Sequence, residues 1–110
     1  MNAIDRVHEA LQPLGHPVQF EVRPTSFPGI SFEFFNEAPA LHGDGEAVQE
    51  SLAVQVDIWT KAPNIVLKNQ VKAAMKEKGF LFAHSDSSLE QEARLYRWML
   101  IFNYYYESEG

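Results

Sequence analysis

The sequence contains no cysteine, which excludes disulfides, thiolate metal sites and cysteine-based catalysis. It also contains no apolar run that approaches the roughly 20 residues a membrane-spanning helix needs. Basic side chains are scarce, because 9 Lys and Arg face 15 Asp and Glu and give a formal net charge of -6 at pH 7. A protein that binds nucleic-acid backbone in general needs a basic surface, so the composition argues against that class.

The length and composition indicate one folded domain. The chain has 110 residues, of which 45% are hydrophobic and 22% charged, proportions typical of a globular protein. Two separate cores would each be too small to fold unaided, so we predict a single domain over residues 1–110. The segment MNAIDRVHEAL carries charges where a secretory signal would be apolar, and we therefore expect the protein to be intracellular when made.

Hydrophobic periodicity predicts two helices and five strands in the order α-β-β-β-α-β-β. Apolar residues three or four apart indicate helices, and apolar–polar alternation indicates strands. The helices are predicted over residues 2–12 and 63–78, and the strands over 18–22, 30–34, 51–61, 80–84 and 94–106. Residues 36–50 show no clear periodicity and are predicted to be a loop of the kind that is often mobile or functional. Residues 85–93 are polar and acidic and are predicted to be a second loop or one frayed turn.

These elements predict an α+β fold in which two helices pack on one face of a mainly antiparallel sheet of four or five strands. The last strand is apolar on both sides, with Trp98 and Leu100 on one side and Met99 and Ile101 on the other. One layer of helices covers one face only, so either the sheet curls on itself or its second face meets a partner. We favour a partner, because a monomer seldom exposes a large apolar patch.

No motif in the sequence predicts catalysis. The four histidines lack the spacing of a metal-binding helix; they are His8, His16, His42 and His84. Segment 42–46, HGDGE, is too poor in alternating oxygen ligands for a calcium loop and is predicted to be a flexible excursion. No glycine-rich phosphate loop or serine elbow is present. We predict a non-enzymatic protein without catalytic, cofactor-binding or metal-binding residues.

Two kinds of side chain are candidates for an interface. Lysines on the second predicted helix, with Lys61 before it, form the only basic concentration; they are either a solvated helix face or a surface that docks on an acidic neighbour. Aromatic residues are enriched in interfaces but are also common in strands. The candidate interface residues are Trp59, Lys61, Lys68, Lys72, Tyr104, Tyr105 and Tyr106. We expect a charged residue at Trp59 or Tyr105 to weaken subunit association while leaving the fold largely intact.

Four stretches of the sequence resemble one protein family. They read FEFFNEAPAL at 32–41, QVDIWTK at 55–61, VKAAMKEKGF at 71–80 and IFNYYY at 101–106. In their succession and spacing they resemble the tail-terminator proteins of long-tailed bacteriophages and prophages, also described as tail-completion or head-to-tail joining proteins. The resemblance covers residues 20–106.

This resemblance implies a structural protein with an α+β fold that assembles as a ring, commonly a hexamer, on the head-proximal end of the tail tube. The implied partners are copies of the same chain, the tail tube protein and the head connector, while DNA passes through the ring without specific binding. The implied location is the tail or neck of the virion after assembly in the bacterial cytoplasm, with no cofactor and no membrane. The alternatives are another neck or connector adaptor, or a host ferredoxin-like binding module.

Overall fold

The computed structural model describes residues 2–43 and 45–107 and confirms the predicted order of elements. The elements are α1 (Ala3–Leu11), β1 (Val18–Phe20), β2 (Gly29–Gly43), β3 (Glu46–Thr60), α2 (Ile65–Glu77), β4 (Leu81–Glu90) and β5 (Leu95–Glu107). A short 3-10 helix, Gln12–Leu14, follows α1.

The strands form one five-stranded sheet in the order β1-β2-β3-β5-β4. β1 pairs with β2 in parallel, and the other neighbours pair antiparallel. The predicted α+β class is therefore confirmed, with β1 as the parallel exception. Residues 21–28 lead the chain back to the end of the sheet at which β1 begins, so β2 starts from the same end and runs parallel to β1.

Both helices begin at an asparagine that caps the first turn. The Asn2 side chain accepts a hydrogen bond from the Asp5 amide at 2.8 Å, and the Asn64 side chain accepts one from the Leu67 amide at 3.0 Å. Each bond satisfies an amide that has no partner inside the helix. After α2, Gly79 adopts φ +91°, a left-handed conformation that glycine takes without steric cost.

The core lies between the two helices and one face of the sheet. Its members are apolar residues that alternate along β2, β3 and β5, residues on the inner faces of the helices, and one residue between α2 and β4: Val7, Ala10, Leu11, Ile30, Phe32, Leu52, Val54, Val56, Ile58, Leu67, Val71, Met75, Phe80, Leu100 and Phe102. The opposite face of the sheet, which carries no helix, is called the helix-free face below.

The predicted loop over residues 36–50 is wrong, because β2 and β3 continue through it as a long hairpin. The pairing runs from Gly29 opposite Trp59 to Gly43 opposite Glu46. Shifts of register interrupt it after Phe35, where Asn36 adopts φ +54°. Each shift reverses the alternation of side chains between the two faces, so the sequence of this segment lacks the apolar–polar alternation that predicts a strand. The expected flexible excursion is the hairpin tip, of which residue 44 lies outside the described residues.

The predicted loop over residues 85–93 is also largely wrong. β4 continues to Glu90 and pairs with β5 from Leu81 opposite Asn103 to Glu90 opposite Leu95. Most of its side chains are exposed, so the strand lacks the apolar alternation of a half-buried strand. Its backbone pairing with β5 holds it in the sheet. The turn is confined to residues 91–94.

Gly29, the first residue of β2, lies where the backbone leaves no room for a side chain. A Cβ atom at this residue would lie 2.4 Å from the Ser26 carbonyl oxygen and 2.6 Å from the Pro24 Cβ atom. We expect Gly29→Ala to lower the free energy of unfolding by about 2 kcal/mol or more, because the backbone must shift to relieve the overlap. Equilibrium denaturation in urea measures this change.

Gly15→Ala is the matched control, because a Cβ atom there would have no neighbour within 4 Å. Its only expected cost is that of the left-handed backbone at φ +84°, about 1 kcal/mol. Equal losses at the two glycines would contradict the steric explanation for Gly29.

Candidate functional site

A polar network occupies the centre of the helix-free face. It consists of Gln55, Asp57, Glu90 and Arg97. The Arg97 Nε atom donates a hydrogen bond to Asp57 Oδ1 at 3.1 Å, and the Gln55 amide donates to both Asp57 carboxylate oxygens at 3.1 and 3.2 Å. Arg97 also lies 3.6 Å from the Glu90 carboxylate. The Asp57 side chain, only 8% exposed, is therefore compensated by one cation and one amide.

The network keeps Arg97 charged. Partial burial alone lowers the pKa of the Arg97 guanidinium, but the hydrogen bond and negative charge of Asp57, with those of Glu90, outweigh burial and raise that pKa above its ordinary value. The site is thus a fixed ion pair within the protomer.

Trp59 adjoins this network and is buried within the protomer. Its indole nitrogen donates a hydrogen bond to the Ser31 hydroxyl at 3.0 Å, and the guanidinium carbons of Arg23 and Arg97 lie 5.0 and 5.1 Å from its ring centroid. Only 7% of Trp59 is exposed. The alternation of side chains along β3 predicts that Trp59 lies on the helix-free face. No local pattern in the sequence predicts that Arg23 packs over the Trp59 ring.

The prediction of an apolar surface on the second face of the sheet is wrong at the centre of that face. The polar network stands there, while Leu95 and Ile101 of β5 are already buried in the single protomer. Exposed apolar side chains remain towards the far end of the β2–β3 hairpin: Phe35, Leu41, Leu81 and Tyr105. The pairing register places these four side chains on the same face. We call this group the distal apolar patch.

The three consecutive tyrosines divide between the two faces. Tyr104 and Tyr106 lie on the helix side, where the Tyr104 ring packs 4.6 Å from Phe80 and the Tyr106 hydroxyl donates a hydrogen bond to Glu37. Tyr105 points to the helix-free face and is 43% exposed. Of the four aromatic candidates, Tyr105 has the most free surface for a partner, and its interface role stays a prediction.

The predicted lysines separate into two places. Lys61 is exposed in the connection after β3, whereas Lys68 and Lys72 lie on α2. The Lys68 ammonium is 4.4 Å from the Trp98 ring centroid, and the Lys72 ammonium is 4.1 Å from that of Phe82. These contacts hold Lys68 over β5 and Lys72 over β4, the strand that forms the edge of the sheet. Cation–π contacts of this kind contribute about 0.5–1 kcal/mol at exposed sites.

A groove between α2 and β4 accompanies this row of lysines. The residues that line it are Asn69, Lys72, Ala73, Lys76, Leu81 and Phe82. The groove combines the ammonium groups of Lys72 and Lys76 with the exposed Phe82 ring, whereas the pairing register directs the Leu81 side chain to the helix-free face. The sequence does not predict the groove, because it arises from the packing of α2 beside β4, which no local pattern records. The spacing of Lys68, Lys72 and Lys76 was the available signal, since residues four apart share one helix face.

Two further properties concern the described part of the chain. Within residues 2–43 and 45–107, no group of three or more His, Asp or Glu side chains is arranged to hold a metal ion. Neither helix of that part has the length and apolar character that crossing a membrane requires.

The fold is shared with a component of a virion. A chain of the solved structure "Virion of native gene transfer agent (GTA) particle" superposes on this protein with a TM-score of 0.61 and 17% sequence identity. The superposition covers 93% of this chain and 92% of that chain. No protein-family model and no curated protein matches the sequence. At this identity, the likeness establishes a common fold over nearly the full length of both chains.

Trp59 and Tyr105 are expected to respond differently to truncation. Trp59→Ala removes a buried ring and its hydrogen bond to Ser31, so we expect the free energy of unfolding to fall by about 3 kcal/mol. Tyr105→Ala removes a partly exposed ring and should lower it by less than about 1 kcal/mol. Chemical denaturation of both variants measures the difference. A Trp59→Ala protein as stable as Tyr105→Ala would contradict the burial of Trp59.

The ion pair between Asp57 and Arg97 is expected to show energetic coupling. Arg97→Ala leaves the Asp57 carboxylate nearly buried without its cation and should lower the free energy of unfolding by about 2–3 kcal/mol. In an Asp57→Asn background the same truncation should cost less, because no carboxylate is left uncompensated. A double-mutant cycle by urea denaturation measures the coupling, and additive losses would show that the two side chains act independently.

Proposed function

We propose that this protein is a non-enzymatic component of a phage-type virion, and that it caps the head-proximal end of a tail tube as a ring. The observation that carries the proposal is the common fold, over nearly the full length of both chains, with a chain of a gene transfer agent virion. The sequence resemblance to tail terminators supports the same class of protein independently. The finer assignment to the head–tail joint comes from that resemblance.

The surfaces of the protein support a role in assembly. A subunit of a ring must present contact surfaces that remain after its own core is built, and both the distal apolar patch and the groove beside α2 are such surfaces. The β2–β3 hairpin extends well beyond the helices in a molecule that measures 52 × 25 × 21 Å. An elongated hairpin gives a ring subunit a means to reach the component stacked above or below it.

The charge of the protein is compatible with a DNA conduit. A formal net charge of -6 repels phosphates on average, so DNA would pass without being held. A channel that bound the backbone tightly would slow the passage of the genome. This property distinguishes a conduit from a DNA-binding protein.

Another neck component, such as an adaptor on the head side, is the nearest alternative. The two assignments predict different partners, because a terminator binds tail tubes whereas an adaptor binds the head connector. Purified protein mixed separately with headless tail tubes and with tailless capsids should co-sediment with the tubes. Co-sedimentation with capsids alone would favour the adaptor and overturn the assignment to the tail.

Deletion of the gene tests the function in assembly. We expect tails of abnormal length that fail to join heads, because an uncapped tube continues to grow and offers no surface to the connector. Negative-stain microscopy of particles from the deletion strain measures tail length and joining. Expression of the wild-type chain in the same strain is the control and should restore both tail length and joining. Normal joined tails without the gene would contradict the proposal and favour the alternative of a host binding module.

A further inference from the structure

The sheet has two different open edges. β1 forms one edge and β4 the other, and neither has a second strand neighbour among residues 2–43 and 45–107. β4 is a ten-residue strand with most of its side chains exposed. An unpaired edge presents backbone N–H and C=O groups that can pair with another chain. The protein therefore offers two edges at opposite ends of one sheet, a three-residue edge formed by β1 and a ten-residue edge formed by β4.

The strand directions make these two edges compatible. β1 and β2 run in the same direction, and β3, β5 and β4 then alternate. β4 therefore runs antiparallel to β1. If a second copy continues the sheet in the same orientation, its β1 meets β4 as an antiparallel neighbour, which is the more stable kind of pairing per residue.

The helices would also form a continuous layer if a second copy continued the sheet. α1 contacts β1, α2 contacts β4, and the two helices also pack against each other, so α1 lies towards the β1 edge of the sheet and α2 towards the β4 edge. In a sheet continued by a second copy, α1 of that copy would stand beside α2 of the first. The outer surfaces of these helices would then face each other across the junction.

The charges on those two surfaces are opposite. The outer surface of α1 exposes Asp5 and Glu9, which line one shallow depression. The flank of α2 towards β4 carries Lys72 and the exposed Lys76, and Lys68 continues this row over Trp98 of β5. Glu9 lies 4.0 Å from Lys78 of its own protomer, the residue that follows α2, whereas Asp5 forms no ion pair within residues 2–43 and 45–107. Complementary charges of this kind favour the correct partner and orientation.

We propose that a second copy of this chain adds its β1 to the outer edge of β4 and places the acidic surface of its α1 against the lysine row of α2. The contact is head-to-tail, so it repeats and closes into a ring when the rotation between copies allows. The inference rests on the proposed function, because the ring is the assembly that this contact builds. It identifies the groove beside α2 as the site that a neighbouring copy occupies.

Charge reversal on each side tests the contact. Lys72→Glu/Lys76→Glu sets acid against acid, and Asp5→Lys/Glu9→Lys sets base against base. Each variant alone should self-associate at least about tenfold more weakly than the wild type in sedimentation velocity. An equimolar mixture of the two should recover association, because every junction in an alternating ring is then complementary. Variants that associate like the wild type, or a mixture that fails to recover, would overturn the proposal.

Crosslinking tests the geometry, since the chain has no native cysteine. A variant with both Asp5→Cys and Lys76→Cys should give a ladder of covalent trimers and larger species with a short bismaleimide, alone or on tail tubes. An equimolar mixture of the two single variants should give dimers that contain both chains, whereas each single variant alone should remain monomeric. Dimers formed by Lys76→Cys alone would indicate a two-fold contact and overturn the proposal, as would the absence of crosslinks in both settings.

The two proposals fail separately. A ladder together with a lack of binding to tail tubes would keep the contact and reject the tail assignment. Binding to tail tubes as a ring without the ladder would keep the function and reject the contact between β4 and β1.

Discussion

The structure depends on β3, the central strand, because its two sides have different chemistry. Towards the helices it presents Val54, Val56 and Ile58, none of which is exposed to solvent. Towards the other side it presents the Asp57 carboxylate, which is tolerated near the middle of a sheet because Arg97 and Gln55 compensate it. The apolar side joins the helices to the sheet, and the polar side limits how apolar the helix-free face can be.

This division leaves the free apolar surface at the margins of the sheet. A fully apolar second face would itself be an interface, but the polar network and the burial of Trp59 leave little free apolar surface at its centre. Free surface lies instead at the end of the hairpin and beside α2. An assembly protein with this layout would associate through edges and an extended arm, which accommodate a ring, rather than through stacked sheet faces.

The likeness to a virion component and the physical properties of the surface support the same class of protein from different directions. The likeness concerns the path of the backbone over nearly the entire chain. The surface argument concerns the distribution of charge and of exposed side chains beside the strand edges, which does not follow from the fold alone. Lys72 illustrates the difference, because its position over Phe82 at the rim of the sheet depends on this sequence.

The sequence by itself determined the order of the elements, the fold class and the core, because these follow from the period of apolar residues along each segment. It did not determine the length of the hairpin or of β4. There the strands are held by pairing with neighbours, and shifts of register near Asn36 disrupt the alternation. Only the tertiary structure decided which candidates are free to bind: it enclosed Trp59 between Arg23 and Arg97 and left Tyr105 exposed. Burial depends on side chains distant in sequence, which no local pattern records.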